Sequence, residues 1–239
     1  MNRTFDRATS ATATWVHVRA RLGAVLRRLA APLIAVSLGV GLAGCSFLKP
    51  AQASARHFVL TPLPAAEADS APANSLAVGL SRVRLAAYLF NTALAVRRDT
   101  NEIDYLPTAF WGERLDTGLQ RVLAANLARL LPTDHVRLSA WQREDVSVEV
   151  YVRVERFEVD ARGQGELVAW WRLLSPGGER TFKAGECHRT RQGPAPDTDP
   201  SGAVATLSEL VADLSRELAQ AIQETTPTTG DAASDPRRQ

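Results

Sequence analysis

The alternation of hydrophobic and polar positions is clearest between Val146 and Val159. Val146, Val148, Val150, Val152 and Val154 alternate with Ser147, Glu149, Tyr151, Arg153 and Glu155. Period two with β-branched residues on one side predicts a half-buried strand. Phe157 and Val159 then take the other parity, which predicts a β-bulge near Arg156. Asp160 to Gln164 turns the chain. Glu166 to Leu174 is apolar on both parities, with Leu167, Ala169, Trp171 and Leu173 set against Val168, Trp170 and Leu174. That pattern reads as a central strand buried on both sides. Ser175-Pro176-Gly177-Gly178 turns again, and Arg180 to Arg189 returns as a strand. The three runs predict an antiparallel meander.

Two stretches follow the helical period instead. Phe110, Trp111, Leu115, Leu119, Val122, Leu123, Asn126, Leu127, Leu130 and Leu131 recur at three- and four-residue spacing. Pro107 with Thr108 suits the start and Pro132 the end, so a helix is predicted over Phe110–Leu131. Val204, Leu207, Leu210, Val211, Leu214, Leu218 and Ile222 predict a second helix, Ala203–Ile222. Shorter signals mark strands at His57 to Thr61, Leu76 to Val83 and His135 to Ser139. A hairpin is predicted from Ala93 to Arg98 and Glu102 to Leu106, around the turn residues Asp99-Thr100-Asn101. Pro62 to Ser75, with three prolines and no periodicity, reads as a loop. The expected fold class is α/β of the α+β kind: a single mixed, largely antiparallel β-sheet packed against two long amphipathic helices.

The amino-terminal pattern differs from all of these. Leu29 to Ala43 is apolar, follows six arginines opposed only by Asp6, and ends in Leu42-Ala43-Gly44-Cys45. The run has about 15 residues and contains Pro32, short of the roughly 20 that a bilayer-spanning helix needs. It reads as a secretory signal. Small residues before a single cysteine are what bacterial signal peptidase II cuts, so Cys45 is the expected first mature residue and the lipidation site. One acyl chain holds a membrane marginally and two anchor it stably. The expected divisions are 1–44 lipoprotein signal peptide, 45–55 lipidated tether, 56–224 folded domain and 225–239 disordered tail.

Cleavage changes the charge. The whole chain carries 28 Lys+Arg and 26 Asp+Glu; residues 1–44 take six Arg and one Asp of these, leaving 22 against 25, a net of −3. That argues against nucleic acid, which wants a basic domain. Cys187 is the one cysteine after Cys45, so no disulfide is expected within the mature chain.

Candidate chemistry is sparse. His57, His135 and His188 stand at no metal-ligand spacing from each other or from a cysteine. His188 adjoins Cys187, but strand neighbours point to opposite faces. Gly163-Gln164-Gly165 and Gly177-Gly178 sit in turns between strands, with no following helix to cradle a phosphate. Glu155, Glu158 and Asp160 read as a solvated charged edge rather than acid–base machinery. The expectation is a protein that is not an enzyme, with no catalytic residues, no cofactor and no metal.

The segment Val83 to Pro132 resembles the ABC-type transport auxiliary lipoproteins, the PqiC-like family. The matching residues are Val83, Tyr88-Leu89, Asn101-Glu102-Ile103, Trp111, Leu115, and Val122-Leu123-Ala124-Ala125-Asn126-Leu127 through Leu130-Leu131-Pro132. Arg156-Phe157, Trp170-Trp171 and the closing helix also fit, so the likeness spans most of 56–224. Members often have proline where this chain has Ala86-Ala87 and where it has Arg114. The resemblance implies a three-layer α/β fold. It also implies a periplasmic auxiliary lipoprotein of an ABC/MCE-type intermembrane lipid transport system. Such a protein is anchored through lipid, palmitate included, and docks an MCE-domain protein of the inner-membrane transporter. Ser46 after the cysteine, in lipoproteins similar to this one, favours the outer membrane. A homo-oligomer is compatible with that role. The residues alone leave two alternatives open: an envelope scaffold unrelated to lipid transport, and a periplasmic lipid carrier suggested by the Trp170-Trp171 strand.

Overall fold

The computed structural model describes residues 54–64, 76–131, 133, 135–138 and 140–225. The expected signal, Cys45, most of the expected tether, residues 65–75 of the expected loop, Pro132, Asp134, Ser139 and the tail after Thr225 lie outside the described residues. In chain order the elements are β1 (Arg56–Phe58), β2 (Val78–Leu80), β3 (Arg84–Leu85), β4 (Ala93–Asp99), β5 (Glu102–Trp111), α1 (Leu115–Leu130), β6 (Val136–Leu138), β7 (Val148–Asp160), β8 (Gln164–Leu174), β9 (Thr181–Gln192) and α2 (Pro200–Thr225). Two 3₁₀ turns sit at Ala87–Phe90 and Arg143–Asp145.

The nine strands form one sheet in which β7 is the hub. Along one path the order is β1-β5-β4-β7-β2-β6, with β3 also on β7, and β8 then β9 extending from β7 on its other side. The β7–β8–β9 meander and the β4–β5 hairpin are antiparallel. The pairs β1–β5, β2–β6, β2–β7, β3–β7 and β4–β7 are all parallel. The sheet is therefore mixed rather than largely antiparallel. Only the hairpins announce themselves by short turns; parallel neighbours meet through longer connections that leave no local mark.

The strand β7 carries the expected bulge. Val154 pairs with Ala169 and Arg156 with Val168, so Glu155 and Arg156 together face one residue of β8. The extra residue returns Phe157 and Val159 to the face already taken by Val148, Val150, Val152 and Val154, and all six are buried. At the β7–β8 turn, Asp160 Oδ1 accepts from the N–H groups of Arg162 and Gln164, both at 2.8 Å. Gly163 there has φ 89°, a conformation that suits glycine.

Helix α1 begins later than its periodicity suggests. Phe110 and Trp111 end β5, where Ala109, Phe110 and Trp111 pair in parallel with Arg56, His57 and Phe58. Pro107 lies in the same strand. Its missing N–H is tolerated because β5 breaks register with β4 there: Ala93 pairs with Phe110 but Ala95 with Tyr105. Backbone φ is −58° at Arg114 and −60° at Ala86. Both values lie within the range a proline ring imposes, so these positions keep a proline-like backbone without the ring. Helix α2 is longer than expected. Pro200 occupies its first position, and Asp199 Oδ1 accepts from the Gly202 N–H at 3.0 Å.

The two helices lie side by side on one face of the sheet, which makes two layers and not three. Leu207, Leu210, Leu214 and Leu218 of α2 and Leu119, Leu123 and Leu127 of α1 are fully buried against it. Asn126 is buried between them. Its Oδ1 accepts from the Leu63 N–H (2.8 Å) and its Nδ2 donates to Ser215 Oγ (3.0 Å), tying a loop and both helices together. The strand expected over Leu76 to Val83 is only the three-residue β2, and a separate β3 follows it. Leu80 and Arg84 are four positions apart while their partners Val150 and Arg153 are three apart, so the ladder breaks between them.

Candidate functional site

Since the helices cover one face of β7, β8 and β9, the opposite parity faces away from the core. Along β7 that parity is Glu149, Tyr151 and Arg153, and after the bulge Arg156 and Glu158. The two ends of this row are covered and the middle is open.

At one end Glu149 is buried. Its Oε1 accepts from Trp141 Nε1 (3.2 Å) and from the Gly177 N–H (2.8 Å), and its Oε2 accepts from the Tyr151 hydroxyl (3.3 Å). The Trp141 indole lies against Gly79, where a Cβ would sit 2.7 Å from the ring. Only glycine leaves the space for this lid.

At the other end Glu158 is 1% exposed. Arg97 donates to its Oε1 through Nε (2.7 Å) and Nη2, Tyr88 donates its hydroxyl to Oε2, and the Phe157 N–H donates at 3.0 Å. The expected solvated edge is here an enclosed carboxylate. Register carries Glu158 under the Tyr88 turn and beside Arg97 of β4. Burial, and then the neighbouring Glu158, push the Tyr88 hydroxyl far up, so it remains a donor. Every polar atom of this cluster has a partner that fixes the sheet, and the arrangement holds structure. The family-like pair Tyr88-Leu89 thus acts in packing: Tyr88 locks Glu158 and Leu89 is buried.

Between these lids lies a half-open groove of about 810 Å³ lined by residues of β3, β7, β8 and β9. Register builds it. Arg84, Arg153, Trp170 and Glu186 form one row across four strands, and Tyr151, Arg172 and Ala184 form the next. Trp170 is 52% exposed and Tyr151 36%. The second parity of β8 is therefore solvent-facing at Trp170, so that strand is not buried on both sides. The Arg172 guanidinium stands 5.9 Å over the Tyr151 ring, and Arg153 pairs with Glu155 at 2.5 Å. An aromatic floor ringed by guanidinium groups can take up anionic, partly apolar groups.

Cys187 and His188 do face opposite ways. His188 Nε2 lies 2.9 Å from Glu166 on the outer face, while Cys187 is buried under α2. Burial, with Glu217 nearby, pushes the Cys187 thiol up to about 12. Its thiolate is thus scarce at neutral pH. Native protein carrying Cys45→Ala is expected to leave Ellman's reagent uncoloured at pH 8 and to release one equivalent once unfolded in guanidinium. Prompt native reaction would contradict the burial.

Cys45, the one site residue expected from the sequence, lies outside the described residues. The groove was missed. Tyr151 with Arg153 stood out as a polar parity, but nothing local says that Trp170, Arg172 and Arg84 come to lie beside them.

The family profile described as ABC-type transport auxiliary lipoprotein component matches residues 58–219. No curated protein matches the chain. Among solved structures, an uncharacterized protein aligns with TM-score 0.56 and 19% identity, over 71% of this chain and 99% of that one. A Xanthomonas campestris protein of the DUF330 family aligns with TM-score 0.60 and 16% identity, over 72% and 96%. At such identities the two likenesses establish the fold.

Proposed function

The chain belongs to the ABC-type transport auxiliary lipoprotein family, and from that premise we propose that it is a lipid-anchored, outer-membrane protein of the periplasmic face that docks the MCE-domain protein of an inner-membrane ABC transporter. It does no chemistry of its own; its partner systems move phospholipid or similar hydrophobic cargo between the membranes. Family membership carries this reading. The lipobox ending at Cys45 and the rigid sheet with an open outer face support it.

Crosslinking in cells followed by purification tests the docking. An MCE-type protein is expected in the adduct; its repeated absence, or recovery of cell-wall or Tol-like components instead, would favour an envelope scaffold. The anchor is tested separately. Labelled palmitate is expected on the wild-type chain and not on Cys45→Ala, which peptidase II should leave uncut with its apolar leader in place. A wild-type chain without palmitate, or equal label on Cys45→Ala, would remove the lipid tether from the account.

A further inference from the structure

We propose that the arginine–tryptophan groove is the grip for the docked partner, and that it grips an acidic, extended protein segment bearing an apolar side chain. This rests on the docking reading and adds the surface and the chemistry of what it holds.

The first observation is a cluster of guanidinium groups that is only partly neutralised. Arg84 and Arg153 are directly paired across β3 and β7. Like charges placed opposite each other work against the sheet. Arg153 has Glu155, but among the described residues neither Arg84 nor Arg172 has a carboxylate at ion-pair distance. Arg82 also lines the groove, and Glu186 is the one acid in its lining. The chain after Cys45 is net negative, so this positive island is not a sample of a basic surface. A partner's carboxylates would relieve the crowding, and guanidinium forks bind carboxylates in paired hydrogen bonds.

The second observation is the exposed aromatic pair. Trp170 and Tyr151 stand in adjacent rows, open to water, on a sheet held from behind by two helices. Trp, Tyr and Arg are the side chains that dominate binding at protein interfaces. The floor is preformed, so little ordering is needed on binding. A row of four strands spans about 14 Å at a 4.8 Å spacing, a length covered by about four residues of extended chain. The concave shape suits such a segment better than a planar lipid surface.

The test places a photo-crosslinking amino acid at Trp170, and separately at exposed Val59 beyond β1, in the full lipidated chain in cells. The expected adduct from 170 maps by mass spectrometry to an acidic segment of one partner protein. Arg84→Glu with Arg172→Glu should lower its yield by about tenfold or more, the equivalent of one or two lost charge-assisted contacts. Arg84→Lys with Arg172→Lys, which keeps the charge, should retain most of it. Thermal melts of the purified variants check that folding is intact, as their exposure predicts. Adducts from 170 only with lipid, only with another copy of this chain, or with a segment poor in Asp and Glu would overturn the proposal. Undiminished yield in the charge-reversed variant would overturn it too. Capture of an MCE-type protein from 59 but not from 170 would reject the groove and leave the docking intact; capture from neither position would reject both.

Discussion

Arg97→Leu is expected to destabilise the domain by about 3–5 kcal/mol, the usual cost of orphaning a buried charge. Glu158 is 1% exposed and would lose the guanidinium that neutralises it. The reverse change should cost less. In Glu158→Leu, the Arg97 side chain keeps 20% exposure and its bond to the Thr100 carbonyl (3.1 Å), so water and that acceptor take up its charge. Tyr88 would still find the Glu155 carbonyl at 3.2 Å. Arg97→Leu with Glu158→Leu should recover much of the loss, because no buried charge remains. Urea denaturation of the four proteins in a Cys45→Ala background gives the comparison. Equal losses for the two single variants would show that burial of the carboxylate is not what the cluster controls.

Phe157→Ala should be comparably damaging, again about 3–5 kcal/mol. Phe157 is among the largest fully buried side chains, at 1% exposure. It sits on the strand that pairs with β2, β3, β4 and β8. Neighbours on so many strands cannot all close in on the space a benzyl group leaves. The loss is a large share of the roughly 5–15 kcal/mol that holds a typical domain. The urea midpoint should fall with an unchanged slope. A midpoint within the error of wild type would mean the ring is not packed as described.

Legibility followed the range of the interactions. The valine run of β7 was readable because the strand buries one face, and the parity change at Phe157 was readable as a bulge for the same reason. Helix α2 was readable from its leucine spacing. The start of α1 was not. Phe110 and Trp111 fit the helical spacing of the residues after them, and only pairing with Arg56–Phe58, more than fifty positions earlier, draws them into β5. Glu158 looked like any acid near a strand end. Its burial depends on Arg97 and Tyr88, which arrive from β4 and from the turn after β3. Trp170 erred the opposite way: an apolar residue in an apolar run that ends up in solvent.

Taken alone, the chain's order of residues determined the meander, the bulge, two amphipathic helices and the likeness to a lipoprotein family, and it carries the expectation of an export signal ending at Cys45. Each is written in neighbours along the chain, as period, turn chemistry or local composition. Parallel pairing, the placement of both helices on one side, the enclosed carboxylate and the groove were decided in three dimensions. They arise where strands distant in sequence fall into register on β7, and register between distant strands is set by how the whole core closes.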